Sequence, residues 1–299
     1  MKKVVFYVLF LVTNYSFSQN SFLSKLEEWF EKHSFSVRNT FDGSKNEQKP
    51  ASIFFRENHK SDNDFLNVDL AFKISEFELF VNKPMALIIY PKVEWHKSTD
   101  TTDIKDKLDG GINLEWIPFA LKSPDLDEAL DNPGVKLSPY FQGISSFKRN
   151  FIDNVYETKL SGNISFVSNY KFMPGSDFRN NNDDFLGRYY PYLGVEYNRI
   201  PDLLVDGEVE EFTTYFFRVF IESWVIPQDL QLNLDYTFRR NLSSGSDIRK
   251  SLPVFILSLN YYPGNQESVG LGYEYKNGYD NEGRYNLIET SSLKLNVKF

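Results

Sequence analysis

The chain has the sequence LQLNLDYTFR at residues 230–239. Leu, Tyr and Phe occupy every second position, and polar or charged residues occupy the positions between them. Successive side chains of a β-strand point to opposite faces of the sheet, so this order predicts a strand with one apolar and one polar face. A helix would instead repeat its apolar residues every three to four positions. The segment is therefore predicted to separate two different environments.

The same alternation continues from residue 51 to the C-terminus. Residues 66–74 have the sequence LNVDLAFKI, and residues 293–299 have the sequence LKLNVKF. Segments of about ten alternating residues, separated by turn-forming or charged stretches, are typical of the strands of a transmembrane β-barrel. Twelve such segments are predicted, at residues 51–57, 65–75, 85–97, 107–120, 136–149, 155–168, 187–199, 213–226, 230–240, 251–262, 268–278 and 289–299.

The predicted fold class is all-β, an antiparallel transmembrane β-barrel of twelve strands. An even number of strands is what a bacterial single-chain barrel requires. Two connections that should be short, residues 122–135 and 170–186, are long. Either they form large turns or they contain a further hairpin, so ten and fourteen strands stay open as alternatives.

The N-terminal 50 residues divide into two predicted parts. Residues 1–18 resemble a signal peptide, because Lys2 and Lys3 precede an apolar run at residues 4–12 that is too short for a permanent transmembrane helix. Residues 19–50 are predicted to form a short amphipathic periplasmic helix, at 21–33, and a polar linker. The linker either caps the periplasmic end or enters the barrel mouth as a plug. Residues 51–299 are predicted to form the barrel.

Composition excludes several classes of chemistry. The chain has no cysteine, and its three histidines, at positions 33, 59 and 96, do not pair at metal-ligand spacing. Its net charge of −8 includes no basic block of the kind that binds nucleic acid. The sequence therefore predicts no metal site, no cofactor and no nucleic-acid partner.

These features together resemble the outer-membrane β-barrel class. In that class, a last strand of alternating apolar residues that ends in Phe is the signal read by the barrel-insertion machinery. The last strand here matches this pattern at Leu293, Leu295, Val297 and Phe299. The resemblance implies an outer-membrane location in contact with lipid, both termini in the periplasm and the insertion machinery as a partner. It leaves any further protein partner open.

The polar faces of the predicted strands would line the barrel interior. The charged residues predicted to line the lumen are Asp69, Lys73, Lys92, Glu94, Glu115, Glu157, Lys159, Glu196, Arg218, Glu222, Asp235, Arg239, Glu274, Lys276, Lys294 and Lys298. Eight are acidic and eight are basic. This balance argues against an ion-selective pore, whose lining would show an excess of one sign.

The sequence favours a non-catalytic barrel that passes small solutes or serves as a scaffold for a partner. One alternative is a lipid-modifying enzyme, because His59 and Ser61, and again His96 and Ser98, have the His-x-Ser spacing of outer-membrane phospholipase A. The Asn-Gly-Arg that follows the serine in that family is missing, so no catalytic residue is assigned. A second alternative is a soluble periplasmic β-rich binding protein.

Overall fold

A computed structural model describes residues 36–38, 40–41, 50–58, 63–73, 77–79, 85–99, 106–121, 134–151, 155–180, 182, 184–201, 209–243, 250–263, 269–280 and 286–297. The predicted signal peptide and the predicted helix at 21–33 lie outside these ranges. No α-helix within them is long and apolar enough to span a membrane.

The described residues form fifteen β-strands in one antiparallel sheet. Their bounds are β1 Ser36–Arg38, β2 Ala51–Asn58, β3 Asn63–Lys73, β4 Phe77–Leu79, β5 Ala86–Ser98, β6 Asp106–Ile117, β7 Ser138–Asn150, β8 Val155–Val167, β9 Phe178–Arg179, β10 Phe185–Pro201, β11 Val209–Ile226, β12 Leu230–Asn241, β13 Ser251–Tyr261, β14 Val269–Asp280 and β15 Asn286–Val297.

Twelve of these strands close into a barrel. Each pairs with the next along the chain, and β15 pairs back with β2, where Leu295 lies opposite Ile53. The twelve strands correspond to the twelve predicted segments, so the prediction of a twelve-stranded antiparallel barrel is confirmed. Strands β1, β4 and β9 are additions that pair with β3, β5 and β10 near one end of the barrel.

The long connection between β8 and β10 is a folded turn and not a further pair of barrel strands. Gly175 N donates a hydrogen bond to Tyr189 O at 2.8 Å, which ties the turn to β10. Phe172, within the turn, has a positive φ of 65°, a conformation that is uncommon for residues other than glycine. The size of this connection is therefore compatible with twelve strands.

The two faces of the barrel wall differ sharply in chemistry. On β10, Leu193 and Val195 are 58% and 49% exposed on the outer face, whereas Glu196 is 4% exposed on the inner face. The same alternation runs along β12, where Gln231 and Thr237 are buried and Tyr236 is exposed. The apolar face thus points outward and the polar face points into the lumen.

Candidate functional site

The lumen is lined by charged side chains. Of the sixteen predicted lumen residues, the eleven that are buried are Asp69, Lys92, Glu94, Glu115, Glu157, Glu196, Arg218, Glu222, Arg239, Glu274 and Lys294. The four that are partly buried are Lys73, Lys159, Asp235 and Lys276, and Lys298 lies outside the described residues. In the C-terminal strand, Leu293 is exposed, Leu295 and Val297 are partly buried, and Phe299 lies beyond the described part of the chain.

Six further charged residues on the inner face of the twelve barrel strands were not predicted from the sequence. They are Arg56, His96, Lys107, Asp109, Lys148 and Arg188, all buried or partly buried. His96 has the same strand parity as Lys92 and Glu94, and Lys107 and Asp109 share the parity of Glu115. Extending the alternation to every charged position of each strand would have identified them.

On β8, β10, β11 and β12, the lumen charges form close ion pairs. Arg239 Nε lies 2.8 Å from Glu196 Oε2, and Lys159 Nζ lies 3.5 Å from Glu196 Oε1. Arg218 binds Asp235 through two parallel hydrogen bonds of 2.8 Å each. Bidentate pairing of this kind fixes the guanidinium plane as well as its position. These side chains are therefore held in place along the wall.

A second cluster of charges lies on β3 and β5. Lys92 Nζ lies 2.8 Å from Glu94 Oε1. His96 Nδ1 lies 2.8 Å from Asp69 Oδ1, and His96 Nε2 lies 3.4 Å from Glu94 Oε2. Both ring nitrogens of His96 therefore face carboxylates.

This geometry bears on the phospholipase-like alternative. A histidine that activates a serine must direct one ring nitrogen at the hydroxyl group. His96 instead directs both nitrogens at Asp69 and Glu94, although Ser98 is two residues away and buried. The other candidate pair, His59 and Ser61, lies outside the described residues. The described pair thus lacks the arrangement of a catalytic serine site.

Part of the N-terminal linker lies inside the barrel. Phe41 N donates a hydrogen bond to Glu94 Oε1 at 2.9 Å, and Asn113 Nδ2 donates one to Phe41 O at 2.9 Å. The Phe41 ring is 3% exposed and meets the Tyr90 ring edge-on at 5.9 Å. Thr40 Oγ1 also donates to Glu94, at 3.2 Å. Residues 40–41 are thus fixed to the inner wall formed by β5 and β6.

An open cavity of about 200 Å³ remains in the lumen beside this segment. Thr40 and Pro50 form part of its border, so residues 40–41, called the inserted segment from here on, help to shape the space. The charged residues that line it are Arg56, Lys159, Arg218, Arg239, Lys276 and Lys294, against Asp69, Glu196, Asp235 and Glu274. Among the described residues, the cavity therefore has six basic and four acidic groups at its border.

Aromatic rings line one part of the same cavity. They belong to Tyr192, Phe216 and Phe220 on β10 and β11. The Arg218 guanidinium lies 5.1 Å from the centre of the Tyr192 ring and 5.5 Å from that of Phe220. These distances fall within the range of cation–π contacts. The cavity thus combines fixed positive charge with flat apolar surface.

Within the described part of the chain, no three His, Asp or Glu side chains are grouped so as to hold a metal ion. The cavity wall is made of ion pairs between acidic and basic groups, and it also contains amides and hydroxyls. Such a lining can bind polar solutes through hydrogen bonds and charge.

No protein-family model and no curated protein matches the sequence. Among solved structures, the NanC porin aligns over 83% of this chain and 100% of its own, with 7% identity and a TM-score of 0.45. The outer-membrane channel DcaP of Acinetobacter baumannii aligns over 89% and 96%, with 10% identity and a TM-score of 0.38. The β domain of the Bordetella autotransporter BrkA aligns over 89% and 98%, with 9% identity and a TM-score of 0.36. At these values the matches establish no function for this chain.

Proposed function

We propose that this chain is an integral outer-membrane β-barrel that passes small polar solutes through a lumen narrowed by its own N-terminal segment. The observation that carries the proposal is the cavity of about 200 Å³ inside a closed, polar-lined barrel. The smallest barrels fill their interior with side chains, and porins of sixteen to eighteen strands leave an aqueous channel. A barrel of twelve strands lies between these limits.

The apolar exterior supports a membrane location over the soluble periplasmic alternative. Leu193 and Val195 on β10, Leu259 on β13 and Leu293 on β15 are all more than 40% exposed. A soluble β-protein would bury such side chains in its core, because exposed apolar patches of this extent are rare on soluble monomers. Contact with lipid would give these side chains an apolar environment.

The proposal places both termini in the periplasm. This orientation rests on the match of the C-terminal strand to the outer-membrane pattern, and connection lengths do not support it. The end of the barrel where β2 begins has the shortest connection, residues 227–229, and also the two longest, residues 118–137 and 168–184.

The proposal includes assembly by the barrel-insertion machinery through the C-terminal strand. Leu293 and Leu295 alternate with Lys294 and Asn296, as such a signal requires. Deleting Phe299 should slow membrane insertion in cells, whereas deleting Ser244, in the connection between β12 and β13, should not. Equal insertion rates would contradict this part of the proposal.

Planar-bilayer recording tests the passage of solutes. The purified folded barrel should produce discrete conductance steps, and the same preparation denatured by heat should produce none. Liposomes that contain the barrel should also swell in solutions of small sugars and amino acids. A folded barrel that is silent in both measurements would contradict the passage of solutes and would favour the scaffold role.

A further inference from the structure

Four amide side chains form a hydrogen-bonded ladder on the lumen wall. They belong to Gln231 and Asn233 on β12, Asn260 on β13 and Asn296 on β15, and are called the amide ladder below. Gln231 Oε1 accepts hydrogen bonds from Asn233 Nδ2 and Asn260 Nδ2, at 3.1 Å each. Asn296 Nδ2 donates to Asn260 Oδ1 at 2.7 Å. The three asparagines border the cavity, so it has amide groups of fixed orientation along one wall.

Gly272 allows the amide ladder to cross β14. This strand separates β13 from β15, and its Gly272 lies directly opposite Asn260. A Cβ at position 272 would lie 2.6 Å from Asn260 Oδ1 and 2.8 Å from Asn296 Nδ2, and so would displace one of these atoms. The absence of a side chain at this position therefore keeps the Asn260–Asn296 hydrogen bond intact.

Two amide oxygens at the cavity border lack a hydrogen-bond donor among the described residues. They are Asn163 Oδ1 on β8 and Asn233 Oδ1 on β12. The Nδ2 groups of both side chains are engaged, since Asn163 donates to Gln142 and Asn233 donates to Gln231. Both oxygens are shielded from bulk solvent, and a buried acceptor without a donor destabilises a folded protein. A solute that brings a hydroxyl group into the cavity would supply the missing donor.

Charged side chains at the cavity are bound to one another. Three pairs are formed, Arg218 with Asp235, Arg239 with Glu196, and Lys294 with Glu274. A charged solute that took one member of a pair would leave the other member buried without that partner, which is costly. A neutral solute can bond to the same groups without separating them. This arrangement favours a neutral ligand.

Phe216 supplies an apolar surface at the same cavity. Its ring lies over Gly194 of the neighbouring strand β10, where a Cβ would come within 2.5 Å of two ring atoms. The face of an aromatic ring carries partial negative charge, and it attracts the weakly positive C–H groups of a saturated ring. The cavity thus has polar groups on the β12–β15 wall and an aromatic ring on β11.

We infer that the cavity is a binding site for small neutral polyhydroxylated solutes of the monosaccharide class. This inference deepens the proposed function and rests on it. Each hydroxyl group of such a solute is both a donor and an acceptor, as each amide group is. Asn163 and Asn233 accept hydrogen bonds from the solute hydroxyls, and the C–H face of the sugar ring packs on Phe216.

Asn233 is the residue to change. Asn233→Leu removes its amide and nearly keeps its volume, and Gln231 Oε1 still accepts a hydrogen bond from Asn260. Ser258→Ala is a second and smaller change at the same place. Ser258 lies opposite Asn233, borders the cavity and donates to Glu274, which Lys294 continues to bind.

Asn277→Leu is the matched control. Asn277 alternates along β14 with Glu274 and Lys276, which border the cavity, so it lies on the outer face of the wall. Its amide donates to Tyr275 OH and does not border the cavity. The control therefore makes the same substitution outside the lumen. Heat-modifiable gel mobility shows which variants fold.

Saturation-transfer NMR measures binding independently of conductance. The folded barrel, in a detergent without a sugar head group, should bind D-glucose more tightly than D-glucuronate, which carries a carboxylate on the same ring. Asn233→Leu should weaken glucose binding on the order of tenfold, the effect of losing about one hydrogen bond. Ser258→Ala should weaken it by a smaller factor, and Asn277→Leu should match the parent.

The outcomes separate this inference from the proposed function. A conducting barrel that does not bind glucose, or that binds glucuronate more tightly, would overturn the inference and leave the passage of solutes standing. The same conclusion follows if folded Asn233→Leu binds glucose like the parent, or if Asn277→Leu loses as much affinity. If Asn233→Leu does not fold, unchanged binding by Ser258→Ala overturns the inference. A silent barrel that binds glucose, with the expected losses, would support the site and overturn the passage of solutes. A silent barrel that does not bind glucose would overturn both.

Discussion

Glu94 connects three parts of the lumen through one carboxylate. Its oxygens accept hydrogen bonds from Lys92 on the same strand and from the backbone of Phe41 in the inserted segment, and they also contact His96. A buried carboxylate is stable only where such partners replace its hydration. The fixed position of residues 40–41 therefore depends on charge inside the barrel as well as on the packing of the Phe41 ring.

Gly278 is required by the backbone of β14. Its φ is +131°, a conformation that residues with a side chain rarely adopt, and a Cβ built there would overlap Pro253 O of β13. Gly278→Ala should destabilise the barrel by about 1–3 kcal/mol or more, through strain and displacement of the neighbouring strand. Urea titration in lipid vesicles, followed by heat-modifiable gel mobility, measures this change.

Gly110→Ala is the control for that substitution. A Cβ at Gly110 would have no heavy atom within 4 Å, and its φ lies outside the strained range. Both substitutions remove the extra conformational freedom that glycine has in the unfolded chain. The difference in unfolding free energy between the two variants therefore reports the strain at position 278 in the folded barrel. Equal midpoints for both variants would show that β14 relaxes around the new side chain.

The contacts of His96 predict that the His96–Ser98 pair does not hydrolyse phospholipid. Its two ring nitrogens face Asp69 and Glu94, so neither is directed at Ser98 as a general base. Ser98→Ala should therefore release product from a fluorogenic phospholipid at the same rate as the parent barrel. Hydrolysis that Ser98→Ala abolishes would contradict this expectation and restore the enzyme alternative at this pair.

At the scale of elements, the barrel strands could be predicted because successive side chains of a strand point to opposite faces of the wall. The two faces have different environments, so the sequence alternates between apolar and polar residues. In the segment 230–239, each change of polarity corresponds to a change of face, and β12 covers it. The two or three residues of β1, β4 and β9 are too few to show any period.

Insertion of the linker into the barrel mouth was one of two alternatives from the sequence, and the sequence could not decide between them. Phe41 bonds to Glu94 and Asn113, which are 53 and 72 residues away, and nothing in the local sequence indicates such partners.

The inserted segment should limit conductance. Phe41→Ala removes the ring that packs against Ala71, Ile88 and Tyr90. Residues 40–41 are then bound less tightly to the inner wall. We expect larger or more frequent conductance steps from this variant in planar bilayers. Phe147→Ala is the control, because Phe147 is 52% exposed on the outer face of β7. Identical recordings from Phe41→Ala and the parent would show that the segment does not restrict the passage.

At the scale of the whole molecule, the distribution of apolar and charged surface is inverted relative to a soluble protein. The interior buries ionic side chains such as Glu115 and Lys92, each 2% exposed, and the exterior presents Leu, Phe and Ile. Buried charges of this kind require partners, and the closed barrel supplies them from neighbouring strands. Closure also pairs each of the twelve barrel strands with a neighbour on both sides, which is the condition for a sheet to lie within lipid.

This inversion predicts how the protein behaves on extraction. The exposed apolar faces of the barrel strands lose their favourable environment if lipid is removed, at roughly 25 cal/mol for each Å² of apolar surface returned to water. The protein should therefore remain in the membrane pellet after a carbonate wash and dissolve only in detergent. Its unheated gel mobility should differ from that of the heated chain, because the closed barrel resists unfolding by detergent. Release by carbonate, with a single gel mobility, would mean that the outward apolar faces do not contact lipid and would exclude a membrane barrel.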